Sequence, residues 1–342
     1  VLNGKRDPGH AWALERPARY FALSWTGTST FCPQPPAQIR FLRLRFPAIC
    51  WQKSAAAVFG ALPATSACAI PAGDYLLDPA SWQGGAQGNI VVALSRSDAP
   101  PNSCWRCAIS ACPGLPVISS PPRGAAIWPL SASWISFWTG VTTKACARPA
   151  PSPTSMRPSC CSPPFTPDDA ALCQGVHTAA AQCEAFQQTN RAALENVAAL
   201  EWEDAVVLAD GPLCGIAEEG ALAFTEISML CGRYFHLLDY RHGPIVISRQ
   251  DTLTLMVLRP GEEDSKSHGG GCARTGRPLL TISDRPGNPW GGVANLQIEA
   301  WPPLPPGASL YLCGPDARPA QALRLGRNPD APKGLDPYIT LQ

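Results

Sequence analysis

The sequence predicts an α/β protein with parallel sheets. Three observations carry that expectation. A long segment of helical composition, Gly175–Leu200, is followed at once by a short apolar run, 204–209, that ends in Asp210-Gly211. A run of this kind, bounded by a turn signal, reads as a strand buried on both faces. The alternation of helical and apolar segments then repeats down the chain, the pattern of a parallel sheet covered by its crossovers.

The elements follow in order. Gly175–Leu200 is rich in Ala, Gln, Glu and Leu and lacks Pro and further Gly, so it predicts a helix. Asp204 to Gly211 predicts a strand feeding a turn. After Pro212, a helix is expected from about Gly215 to Cys231, carrying Glu218, Glu219, Leu222, Ala223, Glu226 and Ile227. Ile245–Ser248, Thr252–Leu258, Pro278–Ser283 and Ala294–Ala300 are expected to add strands. Glu219 and Glu226 stand seven residues apart, two helical turns, and share a face. That face is either a solvated acidic stripe or, more sharply, the seat of a general base, Glu226, near the crevice at the carboxyl ends of the strands.

Composition divides the chain. Residues 1–173 hold 10 of the 15 Cys, 23 of the 38 Pro and 8 of the 11 Trp, and carry a formal charge of +7 against −6 for the remainder. No nucleic-acid partner is expected from the basic half, because its arginines are scattered among prolines instead of clustering with aromatics on one helix or stripe. A membrane span is not expected either: the most apolar window, Gly124–Val141, is short and contains Pro129. Val1–Tyr20 has charges and two prolines where a secretory leader needs an apolar core. Fifteen irregularly spaced cysteines in a long chain read as free thiols of a cytoplasmic, reducing compartment. Cys104-x2-Cys107-x4-Cys112 fits no standard metal or cluster spacing, Cys160-Cys161 fares no better, and Gly269–Gly276 lacks the Lys-Ser/Thr end of a phosphate loop. No metal site is expected.

Two stretches are more specific. Ala217-Glu-Glu-Gly-Ala-Leu-Ala-Phe-Thr-Glu-Ile-Ser228 and Asp239-Tyr-Arg-His-Gly-Pro244, at this spacing, closely resemble the second sugar-isomerase (SIS) domain of the glucosamine-6-phosphate synthase-like family. Gly326-Arg-Asn-Pro-Asp-Ala-Pro-Lys-Gly-Leu335 is similar to that family's C-terminal segment. In the first half only islands resemble the family's first SIS domain: Thr26-Gly-Thr-Ser29 the start of its phosphate loop, Val91–Ser97 its strand and Ser-x-Ser loop, and Val141-Thr-Thr-Lys-Ala145 a third segment. Between the islands stand stretches rich in Pro, Cys, Ser and Trp, namely 31–36, 98–138 and 146–164, with smaller damaged patches at 264–276 and 313–319. Since Lys supplies only 5 of 27 basic residues, a mark of GC-rich coding, these stretches read as translation of a GC-rich gene in a shifted frame.

The resemblance implies two tandem SIS domains, each a flavodoxin-like three-layer αβα sandwich, over residues 1–173 (degraded) and 174–325, with a tail at 326–342. It implies a homodimer in which His242 opens the sugar ring in the neighbouring subunit's site, while Glu226 moves a proton between C1 and C2. Thr28, Ser29, Ser95 and Ser97 would hold the substrate phosphate, although Pro100 occupies the loop's third hydroxyl position, and Glu219, Thr143 and Lys333 would be accessory. Histidine suits proton relay near neutrality, and a carboxylate suits a carbon acid beside a carbonyl or imine. Such a carbonyl acidifies the C–H bond by itself, so no metal or organic cofactor is called for. The synthases carry Lys three residues before the glutamate, where Ala223 stands, and a Lys near the C-terminus, where Pro337 stands. The chain also begins at Val1 directly ahead of the first SIS region, without a glutaminase domain. A glutamine-dependent synthase is therefore not expected. The expectation is a phosphosugar isomerase or aminosugar-phosphate deaminase. The alternatives are a non-catalytic phosphosugar-binding protein and a defective product with only the second domain intact.

Overall fold

The structure is a computed structural model of the chain. It describes residues 37–43, 50, 52–54, 56–57, 65–71, 74, 77–78, 80–82, 89–94, 117–120, 185–186, 188–259, 276–298 and 317–328. The chain divides into two units, one drawn mainly from Val1–Thr143 and Pro151–Ala180, the other mainly from Ala181–Ile339.

The first unit contains a four-stranded parallel sheet: β1 (Ala37–Arg43), β2 (Thr65–Ile70), β3 (Asn89–Leu94) and β4 (Val117–Ser120), in the order β2-β1-β3-β4. β3 is the strand that the Val91–Ser97 resemblance implies. β1, β2 and β4 were not legible, and β4 lies inside the stretch 98–138 that the composition had set apart.

The second unit has a five-stranded parallel sheet of β5 (Asp204–Leu208), β6 (Cys231–Phe235), β7 (Thr252–Val257), β8 (Leu279–Ser283) and β9 (Ala294–Gln297), in the order β6-β5-β7-β8-β9. Every residue of β5, β7 and β8 is buried, which explains why apolar side chains stand on both faces of each strand. The helices are α1 (residues 188–199), α2 (Cys214–Ser228) and α3 (Ala317–Arg324).

Alternate residues feed two cores. On one face Ala205, Val207, Leu253, Leu255, Leu280 and Leu296 pack with Leu194 and Val197 of α1 and with Ala217, Ala221 and Phe224 of α2. Trp202 meets the Phe224 ring edge-on at 5.7 Å between centroids, and its indole donates to Val197 O. On the other face Val206, Leu208 and Met256 pack with Leu237, Tyr240 and Trp290. That second layer corrects one expectation. Ile245–Ser248 is not a strand; the β6–β7 crossover runs through two 3-10 turns, Asp239–His242 and Pro244–Ile247. Val246 and Ile247 are exposed, so their β-branched character reports no buried strand. Tyr240 anchors the crossover, its hydroxyl bonded to Ser248 Oγ.

α2 ends where its C-terminal turn closes, with Leu230 N–H donating to Phe224 O and Met229 in the left-handed region at φ 54°. Arg327 Nη1, just beyond α3, donates to Ser228 O at 2.8 Å and Met229 O at 2.6 Å, satisfying carbonyls that the helix leaves open.

Candidate functional site

In a parallel sheet the helix after a strand runs back antiparallel to it. α2 leaves the carboxyl end of β5 and descends to the amino end of β6. Glu226 is the thirteenth of its 15 residues, roughly 18 Å down the axis from Cys214 at 1.5 Å per residue. Glu226 therefore stands toward the amino edge of this sheet, which corrects the expectation that it lies near the carboxyl-end crevice. It is half-buried, one turn ahead of the carbonyls that Arg327 holds. Glu219 is buried at 5% exposure, so the acidic stripe is not a solvated face. Ala223, also buried, lies on the same helix face.

His242 closes the first 3-10 turn of the β6–β7 crossover and is exposed. The buried Tyr240 beneath it and the Gly243-Pro244 step after it fix the turn that presents it. Thr28, Ser29, Ser95, Ser97, Thr143 and Lys333 lie outside the described residues. Ser95 is nevertheless the residue that follows β3, and Lys333 follows Arg327 by six residues.

The carboxyl edge of the sheet holds polar residues that the sequence did not single out. Asp210 follows β5 and reaches the end of β6, where Oδ1 lies 2.8 Å from His236 Nδ1 and Oδ2 accepts from Leu237 N–H at 3.3 Å. The Tyr234 hydroxyl donates to Ala209 O at 3.0 Å and lies 3.2 Å from the same His236 nitrogen. With the phenol proton committed to Ala209, we assign the imidazole proton to Nδ1, donated to Asp210. Burial holds the Tyr234 phenol well above its ordinary range, and the neighbouring charges of Cys214, Asp210, Glu218 and Asp239 act in the same direction. It is therefore a fixed donor. On the other side of β5, the Arg259 guanidinium lies across Gly211, with Nη1 2.8 Å from where a Cβ would stand; Gly211 has φ +55°. The Asp210-Gly211 turn signal was legible, but the partners that β6 and β7 bring to it were not.

Among the described residues no group of three or more His, Cys, Asp or Glu could hold a metal ion, and no helix is long and apolar enough to cross a membrane.

No protein-family model and no curated protein sequence matches the chain. Solved structures do. The crystal structure of tagatose-6-phosphate ketose/aldose isomerase from Escherichia coli is similar at TM-score 0.81 and 17% identity, over 97% of this chain and 94% of that one. Glucosamine-6-phosphate deaminase from Thermotoga maritima is similar at TM-score 0.68 and 15% identity, over 96% and 97%. The C-terminal domain of glucosamine-fructose-6-phosphate aminotransferase from Francisella tularensis is similar at TM-score 0.68 and 10% identity, over 93% and 98%. These likenesses define an α/β protein with the sugar-isomerase fold. The fold that the Ala217–Ser228 and Asp239–Pro244 motifs implied is the fold observed.

Proposed function

We propose that the chain processes a phosphorylated sugar, as an aldose–ketose isomerase or an aminosugar-phosphate deaminase. The observation that carries this reading is the seat of Glu226: a half-buried carboxylate on the last turns of a helix whose end is clamped by Arg327, the second residue of the tail. A base that removes a proton from carbon must be held within hydrogen-bond reach of it, and a clamped helix end limits its drift. The tail that supplies the clamp also carries Lys333. The names of the solved structures with this fold, a ketose/aldose isomerase and an aminosugar-phosphate deaminase, supply the reaction class.

In this mechanism His242 relays the proton, taking one from the anomeric hydroxyl and delivering one to the ring oxygen, so that the ring opens with no net change in protonation. Glu226 then takes the proton from the carbon beside the carbonyl or imine and returns it to the neighbouring carbon through an enediol or enamine. Thr28, Ser29, Ser95 and Ser97 hold the phosphate, with Glu219, Thr143 and Lys333 in support. The exposed His242 acts in a second copy of the chain, which makes the working unit a homodimer in the cytoplasm. The domains run 1–173 and 174–325, with the tail at 326–342, and the Pro/Cys-rich stretches of the first arise from shifted reading frames. The three-frame translation of the coding DNA around codons 30, 98 and 146 checks that origin.

Proton exchange at C2 of fructose 6-phosphate or glucosamine 6-phosphate, followed by NMR in D2O, tests the activity. Glu226→Gln is expected to reduce exchange by about 10²–10⁴-fold while sugar-phosphate binding persists. Exchange that survives the substitution would assign the base elsewhere. Binding without exchange in the unsubstituted chain would leave a non-catalytic phosphosugar-binding protein.

A further inference from the structure

Residues 284–293 return the chain from the carboxyl end of β8 to the start of β9, and none of them is helical. This crossover is held in both of its halves. On the way out, the Asn295 amide of β9 uses its full bonding capacity. Its Oδ1 accepts from Thr281 Oγ1 at 2.8 Å and Ser283 Oγ at 2.9 Å, and its Nδ2 donates to Arg285 O at 2.8 Å and Gly287 O at 2.9 Å. On the way back, Asn288 Nδ2 donates to Gly292 O at 2.7 Å, and Val293 N–H donates to Leu279 O at 2.7 Å. Gly292 lies so close to β8 that a Cβ there would stand 2.4 Å from the same Leu279 carbonyl.

Trp290 sits between these anchorages. It is 6% exposed and belongs with Val206 and Leu279 to the second core. Its indole Nε1 is buried and has no hydrogen-bond partner among the described residues. A second atom of this kind faces the same patch. Thr254, on β7, is fully buried, and its Oγ1 also has no partner among the described residues. Thr254 stands opposite Val206 on β5 and opposite Leu279 on β8, so its side chain lies on the sheet face that these two share with Trp290. Leaving either polar group unpaired in an apolar core forfeits its hydration without return. The anchored crossover keeps the indole from turning out to solvent, and β7 is fixed by a strand on each side.

We propose that one internal water molecule joins Trp290 Nε1 to Thr254 Oγ1. An indole N–H can only donate, while a hydroxyl can donate or accept. A water accepts from the first and bonds the second in either sense, which meets the two-partner minimum for a buried water. It ties the β8–β9 crossover to β7 across the intervening β8, so this helix-free return is a strap fixed to the sheet. The inference concerns neither Glu226 nor His242 and stands apart from the reaction proposed above.

The test is ¹⁷O relaxation dispersion of the solvent around the full chain, which counts long-held water molecules; two temperatures keep a slowly exchanging one in view. The unsubstituted chain is expected to hold one more such water than Thr254→Val and one more than Trp290→Phe, and Thr254→Ser should retain it. Equal counts in all four chains would overturn the proposal, and that is also the result if the indole and the hydroxyl bond each other directly. Unfolding in denaturant reads the same site independently. Thr254→Val is expected to raise the unfolding equilibrium constant about tenfold, because it leaves the indole unpaired. A chain made more stable by Thr254→Val would mean that the hydroxyl has no water to bond, and would overturn the bridge. Should Thr254→Val not fold, Trp290→Phe against Thr254→Ser makes the same comparison of water counts.

Discussion

The two edges of the β5–β9 sheet are built differently. At the amino edge, polar groups are spent on one another. Asp204 of β5 pairs with Arg233 of β6, and Arg249 joins Glu203 at 3.3 Å and Asp251 at 2.9 Å. Gln321 of α3 donates to Trp202 O, and Arg327 closes the end of α2. Backbone packs directly on backbone there: a Cβ on Gly232 would stand 2.0 Å from Ala221 O. At the carboxyl edge the polar groups gather about one glycine turn. Asp210 aims His236, and Arg259 lies over a glycine. The difference teaches that one edge joins α2 and α3 to the sheet while the other presents functional groups. Glu226, on the amino-edge side, borrows its rigidity from the first kind of construction.

Replacing the two glycines separates the edges most sharply. Gly232→Ala forces a methyl into the α2 main chain, which cannot yield without moving the helix, and is expected to cost about 3 kcal/mol or more. Denaturant unfolding measures it, and a cost under ~1 kcal/mol would mean that the β6–α2 contact is loose. Arg327→Met leaves the Ser228 and Met229 carbonyls without their donor at a turn already in the left-handed region. The expected loss is about 1–3 kcal/mol, with faster amide exchange confined to the last turn of α2; unchanged exchange there would remove the clamp from the account of Glu226. Gly211→Ala should be mildest, about 1 kcal/mol, from the φ of +55° alone, because the neighbour is the movable end of an arginine. Its thermal midpoint is therefore expected to stay above that of Gly232→Ala. The reverse order would contradict the division between a rigid edge and an adaptable one.

Legibility followed burial. β5, β7 and β8 are buried throughout, and α2 combines good helix formers with one apolar face, so each was visible in the chain. β6 was missed because it is an edge strand, partly exposed, whose Cys-Gly-Arg-Tyr-Phe sequence shows neither a continuous nor an alternating apolar pattern. Ile245–Ser248 deceived for the opposite reason: β-branched residues sit on a 3-10 turn whose exposed face needs no hydrophobic partner. The first unit's β1, with arginines at 40 and 43, and the short β4 carry equally weak local signals, and pairing alone gathers them about β3.

By itself, the sequence determined the parallel α/β class, the helix that carries Glu219 and Glu226, and the turn at Asp210-Gly211. These are local matters of propensity, apolar periodicity and turn chemistry within a few residues. Tertiary structure alone decided that Glu226 stands toward the amino edge, that Arg327 reaches back 98 and 99 residues to close α2, and that Asp210 and Arg259 meet at one glycine turn. Contacts of that kind depend on the order in which strands pair, and strand order is a long-range outcome of burying both faces of a sheet.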